Sequence, residues 1–213
     1  MPFNCELCGR RSDFPKLMPA IGNVLRCPHC ADERSFFRPP LLVVTGVPGV
    51  GKSTLCARLA GKIPGSILLD VDVFAEDFIS VVPPNQDYRA FWRSMLRLAH
   101  ELAQNGVMPV FFSTMLPEQL LENTDALDYF RSIHFLCLTC SPEVLRARLG
   151  HREGIDATSG NGVASVVARW SDFQEHLVRT ASATPTATVL DASGTTDQVE
   201  AGVRHWIDGQ RAG

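Results

Sequence analysis

Long apolar runs are missing from this sequence. No stretch approaches the roughly 18 apolar residues that a membrane-spanning helix needs, and the N-terminus carries no apolar leader core. A cytoplasmic protein with no membrane partner is therefore expected. An excess of positive charge is missing too. The net charge of −3 gives no global basic field for a nucleic-acid backbone or an anionic membrane, although a local patch could still form. Repeats and low-complexity tracts are absent. With 45% hydrophobic residues among 213, the chain has the means to bury a core and is not a candidate for wholesale disorder. Its length suits one full domain plus a small appendage.

The seven cysteines inform through their spacing. Cys5-x-x-Cys8 and Cys27-x-x-Cys30 are two knuckles separated by a short segment. In a cytosolic chain this pattern predicts a four-cysteine structural Zn2+ site, each pair supplying one edge of a tetrahedron. His29, inside the second knuckle, could substitute for a cysteine in that set, but reads first as a bystander. Residues 1–38 then form a zinc-ribbon module with too few apolar residues for a core of its own. Cys56, Cys137 and Cys140 lie in apolar segments and read as small core residues. Alternation along a strand sends Cys137 and Cys140 to opposite faces, so they are not a third knuckle.

From residue 39 to 213 the signals alternate. "LLVVT" (41–45) reads as a strand buried on both faces, with further strands at 66–70, 107–114, 133–139 and 186–191. Helical spacing or helix-start signals place helices at 52–60, 86–105, 117–131, 141–149, 163–180 and 196–208. Ser141-Pro142-Glu143 has the order of N-cap, first-turn proline and acidic first turn. Such alternation predicts an α/β fold, a five-stranded parallel sheet sandwiched by helices through right-handed crossovers. The polar, glycine-rich stretch 150–162 has the length and composition of a lid.

Between the first strand and first helix lies "GVPGVGKST", which fits G-x-x-x-x-G-K-[ST]. Gly46, Pro48, Gly49, Val50 and Gly51, with Lys52, Ser53 and Thr54, are the expected nucleotide cradle. Its backbone N–H groups face a phosphate at a helix N-terminus, Lys52 reaches the β- and γ-oxygens, and Ser53 coordinates Mg2+. A motor or switch of this type has a carboxylate at the end of a second strand, whereas "VMPVFFST" ends in Ser113-Thr114. The acids follow "ILL" instead, as Asp70 and Asp72. On an extended chain residues i and i+2 project to one side, so both would face the crevice above the sheet. One carboxylate, Asp70, then serves Mg2+; the other, Asp72, takes the proton of an attacking hydroxyl. The plain alternative is that Asp70 ends a strand and Asp72 solvates a turn.

"GVPGVGKST", "LLDVDVF" and "CLTCSPEVLRARLGHRE" together resemble the P-loop small-molecule kinases: shikimate, gluconate and nucleoside monophosphate kinases and antibiotic phosphotransferases. The resemblance spans about residues 41–208 and implies ATP as donor and a small-molecule acceptor. It implies that Asp72 meets the acceptor and that Arg146, Arg148 and Arg152 lead from a helix into the lid. Arg146 would approach the nucleotide, and Arg148 and Arg152 would stabilise the charge of transfer. It further implies that Asp191–Gly194 wraps the adenine. Arg89, near the start of the helix after the acceptor strand, is a candidate grip on an anionic acceptor, against the plain alternative of a solvated stripe with Arg93 and Arg97. Two other functions fit the sequence. In one, the zinc ribbon holds RNA or DNA for a nucleic-acid kinase; in the other, a non-catalytic nucleotide binder docks a partner protein.

Overall fold

Pro40 to Gly46 contains no charged residue, and all seven positions are buried, so this strand has no solvent face. The structure, a computed structural model, describes residues 2–13, 20–21, 24–35, 37–75, 89–122, 129–150 and 163–211. Within them the chain runs β1 (Pro2–Asn4), β2 (Arg11–Asp13), β3 (Ala20–Ile21), β4 (Val24–Arg26), β5 (Glu33–Ser35) and β6 (Pro40–Gly46). Then follow α1 (Lys52–Leu59), β7 (Ser66–Asp70), α2 (Arg89–Gln104), β8 (Met108–Ser113) and α3 (Pro117–Leu121). The remainder is β9 (Ser132–Thr139), α4 (Pro142–Gly150), α5 (Val163–Ala183), β10 (Ala187–Asp191) and α6 (Thr196–Arg211).

Five strands form one sheet in the order β10-β9-β6-β8-β7, every pairing parallel. β6 is central, with Val44 opposite both Phe112 and Leu136. The chain leaves β6 toward β7 and β8 on one side and later returns to β9 on the other. A crevice therefore opens at the carboxyl end of β6, where the strand order reverses and ligands bind in folds of this kind.

Period-2 alternation divides the apolar residues of β6 between two cores. Leu41 and Val43 join Phe111, Phe135 and Cys137 under Phe91, Trp92, Leu96 and Ala99 of α2. Leu42 and Val44 join Phe112, Leu136 and Leu138 under α1 and α6, whose Leu55, Leu59, Val203, Trp206 and Ile207 are all buried. Each such side chain contributes about 1.5–3 kcal/mol relative to exposure, so the two faces and not helix propensity hold the layers. Cys137 lies in the first core and Cys140 in the second, the opposite placement that alternation predicts.

Three expectations shift. The helix expected over 117–131 ends at Leu121, and Tyr129 and Phe130 enter the core from a turn instead; 123–128 lie outside the described residues. α5 and α6 each run three residues further than expected, to Ala183 and Arg211. Asp72 is not on an extended chain. β7 stops at Asp70 and residues 71–75 are helical.

His100, on α2, is buried and stacks on Tyr129 with ring centroids 4.9 Å apart. Burial pushes its pKa down to about 4, although a hydrogen bond to the Tyr129 backbone favours the charged form. The unfolded chain takes up that proton near its ordinary value of 6.5, the folded chain only near 4. The stability His100 contributes is complete above pH 6.5 and is lost as pH falls from 6.5 toward 4, by roughly 3 kcal/mol. Urea midpoints measured at pH 7 and 4.5 should fall more steeply in the native chain than in His100→Gln; parallel falls would remove His100 as the cause.

Candidate active site

Local chemistry shapes the loop after β6. Gly49 adopts φ 87° where a Cβ would come within 2.9 Å of Leu149 on α4, so only glycine lets that helix press on the loop. Gly51 adopts φ 112°, with nothing within 4 Å of the place a Cβ would take, so the loop stays open in front of the α1 N-terminus. Lys52 is buried, 5% exposed, and its Nζ donates to Gly46 O (2.9 Å), Val47 O (3.3 Å) and Thr114 Oγ1 (2.8 Å). Ser53 and Thr54 are exposed at the start of α1. Pro48 to Leu55 line a cavity of about 770 Å³, large enough for a nucleotide-sized ligand.

Asp70, Asp72, Val73 and Thr114 line the same cavity. Val71, between the two acids, is fully buried in the core under α2. Both carboxylates thus reach one crevice, although a helical turn and not an extended strand brings Asp72 there. Asp72 Oδ1 accepts from Ser113 Oγ at 2.7 Å and Thr114 N at 2.9 Å; Oδ2 accepts from Thr114 N at 3.0 Å and Thr114 Oγ1 at 2.9 Å. Lys52 Nζ lies 3.8 Å from Oδ2. The strand that ends in Ser113-Thr114 without an acid therefore receives one from its neighbour. Sequence reasoning gave Ser113 and Thr114 no role. Their signal was that two hydroxyl residues stand where a carboxylate is usual.

Asp70 differs from Asp72. Its Oδ1 is buried and accepts no hydrogen bond among the described residues. A buried anionic oxygen without a donor is a position that a cation or its water satisfies, so the acids and the open cradle fit a nucleotide with Mg2+. Cys56 is no nucleophile here. Burial first, and then the nearby Asp70 carboxylate, push its thiol up to about 11.

Of the arginines, only Arg148 lines the cavity among the described residues. Its guanidinium donates to Val50 O and Ala192 O, both at 2.9 Å, tying the loop after β6 to the loop after β10. Ala192, Thr196 and Val199 complete that wall. Arg146 is exposed on α4 and outside the lining, as is Arg89 at the start of α2. Arg152 and all but the first residue of the expected lid lie outside the described residues. Ser141 caps α4 as expected, its Oγ accepting from Val144 N at 3.3 Å.

The four knuckle cysteines converge, all Sγ atoms lying within 4.8 Å of one another. Cys5 N–H donates to Arg10 O and Gly9 N–H to Cys5 O. The second knuckle repeats both bonds, from Cys27 N–H to Asp32 O and from Ala31 N–H to Cys27 O. Two like turns present four thiols, none in a disulfide, to one point, an arrangement compatible with Zn2+.

Comparison with known proteins agrees with this geometry. The sequence profile of the family described as "AAA domain" matches residues 42–166. A sugar kinase from Janibacter sp. HTCC2649 is 22% identical, with TM-score 0.58 over 81% of this chain and 95% of that one. The tunicamycin resistance protein of Deinococcus radiodurans is 19% identical, with TM-score 0.55 over 80% and 96%. Shikimate kinase from Bacteroides thetaiotaomicron is 18% identical, with TM-score 0.51 over 80% and 96%. Among curated proteins nothing matches. At these identities the likeness is one of fold, the P-loop kinase fold of a parallel five-stranded sheet flanked by helices.

Proposed function

The chain belongs to the AAA-domain family, and from that premise we propose that it is an ATP-dependent phosphotransferase. It moves the γ-phosphoryl group to a hydroxyl or phosphate of a small molecule, whether a metabolite, a nucleoside or nucleotide, or an antibiotic. The observation that carries this reading is Asp72. Its carboxylate faces the phosphate cavity 3.8 Å from Lys52 Nζ, held at the end of β8 by Ser113 and Thr114. There it accepts the proton of an attacking hydroxyl at the mouth of the cradle. The fold relatives support the acceptor class, since two of them are a sugar kinase and a shikimate kinase.

Each residue has a part. Gly46 to Gly51, with Thr54, shape the cradle; Lys52 neutralises phosphate charge; Ser53 and Asp70 would hold Mg2+. That ion, when bound, draws charge from the transferring group and orients it. Arg148 would set the wall on which the nucleotide base rests, between Val50 and Ala192. Residues 1–38 form the zinc-ribbon module, and 39–213 the kinase domain. Thr114→Val would remove one donor from Asp72 and one acceptor from Lys52, so turnover should fall about ten- to a hundredfold, while Thr114→Ser keeps most of it. Equal losses in both variants would mean that the hydroxyl is not what matters.

The decisive assay supplies γ-labelled ATP and Mg2+ with a small-metabolite extract in one arm and a short RNA in the other. Label in a small molecule, lost in Asp72→Asn, supports the proposal and delivers the acceptor. Label in RNA would replace it with a nucleic-acid kinase. Free phosphate alone, unchanged by the mutation, would end it.

A further inference from the structure

We propose that the four-cysteine module is a metal-locked brace for the sheet face that carries α2, with its docking surface inside this chain and not on an external polymer. The first observation is Leu25. β4 shows the burial pattern exposed-buried-exposed, and its one inward residue, Leu25, is 3% exposed. It belongs to the same contiguous core as Phe91, Trp92, Leu96 and Ala99 of α2, so the module contributes a side chain to the main body.

The junction repeats the attachment with hydrogen bonds. The Gln104 side chain, at the last residue of α2, takes both backbone groups of Phe37. Phe37 N–H donates to Oε1 at 3.2 Å, and Nε2 donates to Phe37 O at 2.7 Å. Arg38 Nη2 donates to Phe130 O at 3.1 Å, and Arg131 N–H to Pro39 O at 3.2 Å, fixing the approach to β9. Leu25 and the α2 anchor lie on one side of the sheet, and the loop after β6 packs into the other core, through Val47 and Val50.

The metal would govern this seat because the thiols bracket it. Cys27 follows β4 directly, and its N–H is bonded to Asp32 O at the entry to β5, so the cluster sets the register that pairs Leu25 with Arg34. Strands of two or three residues do not hold a register unaided. Two of the basic side chains that a polymer would use here are already engaged. Arg26 faces Glu33 at 3.6 Å and Arg34 faces Glu6 at 3.4 Å, so both arginines already have carboxylate partners.

Hydrogen exchange on the full chain tests the proposal without any phosphoryl acceptor, so its failure is distinct from failure of the phosphotransfer reading. Removing zinc from the loaded protein should speed exchange across 89–104 at least tenfold and leave 52–59 and 196–211 unchanged. Leu25→Ala, with stoichiometric zinc still bound, should reproduce the same pattern, which a purely local metal site would not. Leu25→Val, a smaller truncation, should give a smaller effect in the same helix and serves if the alanine variant does not fold. Unchanged exchange in 89–104, or equal acceleration in 196–211, would overturn the brace. So would a short RNA that binds the zinc-loaded protein and is lost on zinc removal.

Discussion

Asp72→Asn is expected to lower phosphoryl transfer about a thousandfold while leaving the melting temperature and ATP affinity near those of the native chain. The magnitude follows from the role, since a positioned general base contributes about 10²–10⁴ in rate. A thousandfold corresponds to roughly 4 kcal/mol of transition-state stabilisation. Fold and affinity should survive because asparagine keeps an oxygen for the Ser113 hydroxyl and the Thr114 N–H, and the Thr114 hydroxyl can rotate to meet the new NH2. What asparagine cannot do is take a proton. Single-turnover transfer from labelled ATP, beside a direct measure of ATP binding, separates the two effects. A variant that loses binding and transfer together would show Asp72 holding the nucleotide site and not the acceptor.

Lys52→Met should be more damaging still. The substitution keeps most of the length and an apolar stem but removes a cation that is 5% exposed and donates to three oxygens. Transfer should fall at least a thousandfold, because removing a single preorganised donor to a developing charge already costs about 10²–10³. ATP affinity should fall with it, unlike in Asp72→Asn. Stability should drop as well, since the Gly46 and Val47 carbonyls lose a buried donor, at about 1–3 kcal/mol for a group left unsatisfied. The double variant Lys52→Met/Asp72→Asn should transfer no more slowly than Lys52→Met alone, because the two side chains act on one reaction centre. A rate equal to the product of the two single losses would mean they act independently, and the reading of a shared centre would fall.

The legibility of this molecule in its sequence varied with the range of the interaction. The buried strand before the G-x-x-x-x-G-K-S signal, the strand–helix alternation that implies a parallel sheet and the knuckle spacing all depend on residues close in sequence, and each was readable. The split of Cys137 and Cys140 between two cores followed from alternation alone. Asp72 was found for a partly mistaken reason. Helical residues 71–75 brought it to the crevice, and its tether to Ser113 and Thr114 spans two strands, a contact no local pattern encodes. Leu25 is similar, since a lone leucine in a three-residue strand gives no sign that it completes a distant core. The arginines show the same limit. Spacing put Arg146 and Arg148 on one helix, but only packing against Gly49 decides that Arg148 turns inward and Arg146 outward.

The central position of β6 also sets an order of events during synthesis. Its Leu42 pairs with Val110 on one side and His134 on the other, so the strand beneath the cradle is among the first of the sheet to be made and waits for both neighbours. Closing such distant pairings is slow, and until they close a strand that is buried along its whole length has nothing to bury against. A ribosome-bound chain halted before residue 132 should therefore fail to retain ATP, although every residue of the phosphate loop has long since emerged. One halted with α6 clear of the exit tunnel should retain it, because Ala192, Thr196 and Val199 complete the cavity wall.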